Sequence, residues 1–301
     1  MHKNWGEKLV VGLLVIASTL SIITTLGILF SILFQAIEFF QLKSFWYFLT
    51  GSEWTPGTEE GLFGALPIFA GTLMITVIAL LVAIPVGLAN AIYLSEYASS
   101  SVRKYLKPVI EILAGIPTVV YGFFAALTVA PFIVQLGEFV GVEAAYNSAL
   151  ASGLVMGIMI TPVIVSLSDD VLRAVPDSQR RAALALGMTK SEAILDTVVP
   201  AALPGIISAG LLGFSKAIGE TMIVVMAAGM RPNLTWNPLE DMTTVTVTIV
   251  DSLVGDHAFN SPETLSAFAL GLVLFVVTLL LNFGSLKLIR RFKLKYKINN
   301  L

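Results

Sequence analysis

Five stretches of this chain contain no charged residue: 9–37, 61–95, 112–137, 144–168 and 264–286. Each is long enough to cross a bilayer, because an α-helix of about 20 apolar residues spans roughly 30 Å of hydrocarbon. A sixth stretch, 197–230, is interrupted only by Lys216 and Glu220, and its apolar flanks 206–214 and 222–226 read as one broken span. Composition agrees: 56% hydrophobic, 13% charged and a mean hydropathy of +0.87 lie outside the range of soluble domains. The expected fold is an all-α integral membrane protein with six transmembrane helices. Lys3 and Lys8 precede the first run as in a signal peptide, but that run exceeds an h-region of about 7–15 residues and lacks a clear small-residue cleavage site. It is expected to be a retained helix.

Six spans put both termini on one side, and the basic residues say which. With the termini cytoplasmic, the inside segments hold 15 of the 18 lysines and arginines; Lys43 and Arg231 lie outside and Lys216 within the membrane. The positive-inside rule therefore predicts cytoplasmic N and C termini. The same assignment splits the near-neutral total of -2 into about +7 inside and -9 outside. That total gives no basic face for nucleic acid. With no cysteine and only His2 and His257, disulfides, thiolate metal sites and a histidine-built metal centre are not expected, nor is any cofactor.

Between spans four and five the inside loop carries helix punctuation. Pro176, Asp177 and Ser178 offer a start, RRAALAL follows, and Gly187 sits where a C-terminal cap belongs. Thr189 and Glu192 have capping-box spacing for a second helix, which Pro200 is expected to bend or end at the membrane. The small side chains of Ala182, Ala183 and Ala185 would let another protein approach closely; an amphipathic helix resting on lipid is the other reading of the same residues. Elsewhere, Phe45, Trp46, Tyr47, Phe48 and Trp54 read as an interfacial belt, and 243–250 (TTVTVTIV) as a short surface or re-entrant segment.

Ala182, Ala183, Gly187 and Pro200 match in spacing the loop signature of ABC importer permeases, E-A-A, three residues, G, nine residues, I-x-L-P. Arg181, Thr197 and Val199 stand where that signature has Glu, Ile and Leu. The resemblance implies that loop 169–200 docks into a cleft on a cytoplasmic ATPase, with Arg181, Ala182, Ala183, Gly187 and Pro200 as its coupling residues.

Ionisable residues inside a membrane helix are expensive and usually face a partner, a bundle interior or a water-filled path. Lys216 and Glu220 are four apart, which on a continuous helix puts them on one face about 6 Å apart along the axis. Either they neutralise each other, or Lys216 meets an anion in transit while Glu220 restrains it. Gly115, Pro117, Thr118 and Tyr121 on span three, and Thr161 with Pro162 on span four, add breaks that tend to face a cavity.

AGIPTVVYGFF at 114–124, KAIGETMIVVMAAG at 216–229 and SPETLSAFALGLVLFVVTLLLN at 261–282 resemble the phosphate-specific ABC importer permeases, PstC type. In that family an Arg precedes the GET segment where this chain has Lys216, which keeps the charge and loses the bidentate fork. The resemblance covers roughly 60–290 and implies a type I ABC importer permease in a bacterial-type cytoplasmic membrane. It implies a heterodimer with a second permease, two cytoplasmic ATPase subunits and an extracytoplasmic phosphate-binding protein. It also implies a substrate path through Lys216, Glu220, Thr221, Thr118 and Tyr121. No G-x-x-x-x-G-K-[ST] occurs, so the chain is expected to be no enzyme and to rely on the partner's ATP hydrolysis. The expected divisions are 1–62 (first helix and outer loop), 63–290 (five-span core with the loop) and 291–301 (basic tail). A permease for another oxyanion, a proton-coupled anion transporter using Lys216 and Glu220 as a relay, and a channel with Lys216 in a cationic ring remain as alternatives.

Overall fold

A computed structural model describes residues 5–58, 61–254 and 258–295. His2, Lys3, His257 and the tail beyond Lys295 lie outside the described residues. Six helical segments are long and apolar enough to cross a membrane: Gly6–Leu42, Leu66–Tyr97, Thr118–Val140, Ala149–Ala174, Lys190–Ile218 and Pro262–Lys287. The expected count of six holds, with altered boundaries.

The first span is α1 (Trp5–Leu42), followed by α2 (Phe45–Thr50) and a hairpin of β1 (Trp54–Thr55) and β2 (Leu62–Phe63), paired antiparallel with Trp54 opposite Phe63. The second span is α3 (Leu66–Ile92), prolonged by a π-helical turn, Tyr93–Tyr97. Next comes α4 (Ser100–Ala114), capped by the Ser99 hydroxyl, which accepts from Val102 N–H at 3.3 Å. Residues 112–114 belong to α4, so the uncharged run 112–137 is not one span. Gly115, Ile116 and Pro117 separate α4 from the third span, because proline disfavours helical backbone at the residue before it. That span joins α5 (Thr118–Phe124), a π turn Ala125–Val129 and α6 (Ala130–Val140).

The fourth span, α7 (Ala149–Ala174), is the centre of the bundle, with 61% of its most apolar window buried against none for α1. In lipid, helices are not driven together by hydrophobicity, so close packing of small residues has to hold them. Gly153 and Gly157 supply it: a Cβ on Gly157 would meet the Ala79 carbonyl oxygen of α3 at 2.8 Å, and one on Gly153 the Ile78 side chain at 2.7 Å. Ile75, Ala79, Ala83, Met156, Ile160 and Ile164 form the buried seam.

Beyond α7 lie α8 (Asp177–Ala185) and α9 (Lys190–Ala193), a π turn Ile194–Val198 and α10 (Val199–Ile218). Pro200 does not end the second loop helix: Lys190–Ile218 is continuous. Proline removes a ladder donor, and here it falls in the first turn after the π turn, where the hydrogen-bond register is already changing. Then come α11 (Met222–Ala227), α12 (Val245–Val254) and the last helix, α13 (Pro262–Lys295). The 243–250 segment, alternating like a strand, is mostly helical: Val245 N–H donates to Thr72 Oγ1 at 3.0 Å, and Thr243 and Thr244 are buried. Tertiary packing has overridden the β-branched preference.

Only part of the expected aromatic belt faces outward. Phe45, Trp46 and Tyr47 are exposed, but Phe48 and Trp54 are buried with Phe39 and Phe63. The rings meet edge to face at centroid distances of 5.4 Å for Phe39–Phe48 and 5.5 Å for Trp54–Phe63. This aromatic knot fastens the end of α1 to the hairpin and to Leu265 and Leu270 of α13.

Candidate functional site: the interhelical loop and the broken fifth span

The loop folds as its punctuation predicts. Gly187 has φ +89°, its N–H donates to Leu184 O at 3.0 Å, and Met188 N–H donates to Ala183 O at 3.3 Å. That pair of bonds is a Schellman termination, which needs a left-handed residue at this position and so favours glycine. The capping box is also present, with Thr189 N–H donating to Glu192 Oε2 at 2.7 Å and Glu192 N–H to Thr189 Oγ1 at 3.4 Å. Arg181, Ala182, Leu184, Ala185 and Gly187 are exposed, and Leu186 is 82% exposed. Ala183 instead packs inward. The outer side of α8 thus presents Ala182 and Ala185 beside Arg181 and Leu184 and ends in an apolar tip, with no other described residue within 4 Å of a Cβ on Gly187.

Sequence reasoning missed what anchors the loop. Arg180 donates from Nη2 to Glu96 Oε1 at 2.9 Å and to Leu172 O at 2.7 Å, and from Nη1 to Val175 O and, at 3.2 Å, to Asp177 Oδ1. One guanidinium therefore joins α8 to the end of α7 and to the π turn that finishes the second span. Tyr97, on the same turn, lies 4.5 Å beneath the Lys190 ammonium and has its hydroxyl 3.4 Å from Ser191 Oγ. Both halves of the loop grip the π turn that prolongs α3, which ties α8 and α9 to the second span. No sequence signal pairs Arg180 with Glu96, 84 residues away.

At the other candidate place, the expected helix face does not form. α10 stops at Ile218, Gly219 closes it, and Glu220 N–H donates to Ala217 O at 3.2 Å. Lys216 sits half-buried in the last turn, where a cation complements the helix dipole. Among the described residues it has no ion pair. The Glu220 side chain turns the other way: Oε1 accepts from Met222 N–H at 3.0 Å and Ile223 N–H at 3.5 Å, serving the start of α11. Thr246 of α12 donates to Glu220 O at 2.8 Å and pins the break. The i, i+4 pairing does not form because a backbone break intervenes, so of the two sequence readings the Lys216–Glu220 ion pair is absent among the described residues.

The other three path candidates separate. Thr221 stands at the start of α11 without a side-chain cap bond, and Thr118 opens α5, partly exposed. Tyr121 is buried and its hydroxyl donates to Leu113 O at 2.9 Å across the 115–117 break, a bracing role. Packing does bring α5 against α11, since a Cβ on Gly122 would meet Met226 Sδ at 2.6 Å and Met222 O at 3.2 Å. A groove of about 410 Å3 between α10 and α13 is lined by Ser208, Ser215, Asn282 and Ser285 among Leu211, Leu212 and Leu286. Ser208 and Ser215 recur seven residues apart on α10, one position ahead of the lysine, a signal the sequence did contain.

Comparisons with known proteins agree with this architecture. The probable ABC transporter permease protein YqgH of Bacillus subtilis is 37% identical over 233 residues, 77% of this chain and 74% of that protein. The phosphate transport system permease protein PstC 1 of Mycobacterium tuberculosis is 34% identical over 278 residues, covering 81% and 82%. The fold resembles a chain of the MetNI methionine ABC transporter in an inward-facing conformation, with a TM-score of 0.56 at 16% identity over 76% of this chain and 94% of that one. Residues 83–294, from the middle of α3 through the loop and the broken span to the end of α13, match a single family, and the chain belongs to it: the inner membrane components of binding-protein-dependent transport systems.

Proposed function

We propose that this chain is a permease subunit of an ATP-driven phosphate importer and forms the translocation path with a second permease. The observation that carries this reading is the loop: a short exposed helix, held in shape by a Schellman turn and a capping box, whose Arg180 and Tyr97 contacts end on the second span. Such a lever needs an engine, and the engine is a pair of cytoplasmic ATPase subunits, one of which docks on α8. The loop end of the bundle faces the cytoplasm, in keeping with its basic charge. ATP binding moves α8, the second and fifth spans follow, and the path alternates between the two sides. Relatives named as phosphate permeases over four-fifths of the chain support phosphate as the anion. Lys216, without an ion pair among the described residues, is the cation it passes.

With a net charge near -9, the outer side repels a free oxyanion, so delivery falls to a binding protein. The test is uptake of labelled phosphate into proteoliposomes holding this chain and its partner subunits. Uptake should require lumenal ATP on the ATPase side and the binding protein on the other. Uptake driven by a proton gradient without ATP would establish the secondary-transporter reading instead, and faster uptake of sulfate than phosphate would reassign the anion. In the same vesicles Gly187→Val strains the φ +89° turn. It should lower uptake per ATP hydrolysed several-fold while insertion is unchanged; an unaltered ratio counts against docking through α8.

A further inference from the structure

Helix α4 is turned inside out relative to a helix on a soluble protein. Its charged seam faces the bundle: Arg103 Nη2 lies 2.6 Å from Asp169 Oδ2 of α7, and Lys107 Nζ lies 2.6 Å from Asp170 Oδ1 and 3.6 Å from Asp169 Oδ2. Its apolar residues face away, with Tyr105 73% exposed, Ile112 69% and Val109 50%, and no residue of the helix is buried. A helix with that pattern is stable lying in a membrane interface, where the apolar face enters the acyl boundary.

Two concavities flank this helix. On one side a cavity of about 390 Å3 is lined by Ser100, Arg103, Lys104, Lys107, Glu111 and Arg173, four cations against one carboxylate. The N-terminal turn of α4 opens on it through Ser100. Lys104 has no ion pair among the described residues, and the buried Nη1 of Arg103 has no hydrogen-bond partner. The Lys107 ammonium is held charged, its pKa raised by the hydrogen bond to Asp170. On the other side Ile110 and Leu113 of α4 complete an apolar groove of about 340 Å3 with Val82, Val86, Ile158 and Pro162 of α3 and α7.

We propose that the basic cavity beside α4 binds the phosphate of an anionic phospholipid whose acyl chains lie along the exposed apolar side of the helix. A cationic pocket beside an interfacial helix fits one amphiphile better than it fits a free ion, because both halves of the ligand find matching surface. The lipid phosphate supplies an acceptor to Lys104 and to the open Nη1 of Arg103 and seats α4 in the leaflet. The loop 115–117 that follows leads straight into the third span, so the headgroup also fixes where that span begins.

The test uses the full chain purified in detergent with its partner subunits, with retained lipid measured by native mass spectrometry. Phosphatidylglycerol should be retained in preference to phosphatidylcholine, and millimolar inorganic phosphate should not displace it. The K104Q/R173Q double variant keeps the Arg103–Asp169 pair, loses the 3.6 Å Arg173–Asp169 contact, and should weaken phosphatidylglycerol retention roughly thirty-fold, about 2 kcal/mol for two cations. Glu111→Gln should strengthen it about five-fold. Equal retention of the two lipids, an unaffected double variant, or displacement by inorganic phosphate would each overturn the proposal. A second arm places Tyr105→Trp in vesicles: acyl-brominated lipid should quench the added fluorescence. Failure to quench would mean that another protein covers the apolar side, which also overturns it.

Discussion

Two clusters of ionisable groups sit among these helices, and they are built on opposite principles. At the loop end of α7, Asp169 is 1% exposed and collects Arg103 at 2.6 Å, Lys107 at 3.6 Å and Arg173 at 3.6 Å. At the broken end of α10, Lys216 has no ion pair among the described residues, and the nearest carboxylate in sequence, Glu220, spends its oxygen on backbone N–H groups. In the first cluster every cation has a partner and the charges hold helices together. In the second the cation has no ion pair among the described residues, and the neighbouring carboxylate serves the backbone instead. Sequence alone leaves the second open, since i, i+4 spacing fits a Lys216–Glu220 pair as well as a lone cation, and it carries no sign of the first, whose members Arg103 and Asp169 lie 66 residues apart.

The largest effect expected from this contrast is structural. Asp169→Ala leaves Arg103 and Lys107 facing a buried site without their shared carboxylate, and removing one partner of a buried ion pair costs about 3–5 kcal/mol. The purified protein should unfold at markedly lower temperature in detergent, with poor assembly. Asp170→Ala, whose side chain is 57% exposed, should cost at most about 1 kcal/mol. Equal stability of the two variants would erase the distinction between a buried hub and a surface pair.

Next comes Lys216. If its charge is kept for a passing anion, Lys216→Ala should lower phosphate uptake roughly ten- to hundred-fold, the equivalent of one charge-assisted hydrogen bond, with assembly intact. Lys216→Arg should restore most of the rate, since the charge remains. A Lys216→Ala protein transporting at the wild-type rate would reduce this lysine to a dipole partner at the end of α10, worth about 0.3–1 kcal/mol of stability.

How much of this could be read beforehand follows from the range of each signal. Hydropathy is summed over some twenty residues and capping over four, so the six spans, the Schellman glycine and the Thr189–Glu192 box were legible. The third span was misplaced at its start because α4 is apolar on one side, and an uncharged run does not record which helix owns residues 112–114. The aromatic knot and the helix at 245–254 depend on what packs against them, through Phe39, Phe63 and Thr72, which lie far off in sequence. Arg180 with Glu96 and Arg103 with Asp169 are separated by 84 and 66 residues. No local pattern announces such pairs. Of the path residues, Lys216 was legible as a charge in lipid, whereas the role of Tyr121 as a brace across a proline break was not.

The smallest predicted effect separates two roles for Glu220. As a cap, it needs an acceptor oxygen and no charge, so Glu220→Gln should keep the bonds from Met222 and Ile223 N–H and remain within a few tenths of a kcal/mol of the parent. Glu220→Ala removes the acceptor and should cost about 0.5–2 kcal/mol, loosening α11 and the turn that Thr246 pins. If the carboxylate instead restrains Lys216 at a distance, Gln and Ala should behave alike. Both would then hold phosphate more tightly and lower the KM for uptake, because a neighbouring negative charge has gone. Uptake kinetics and thermal unfolding on the same two variants therefore decide whether the second cluster is a lone cation beside a cap or a charge pair divided by a break in the helix.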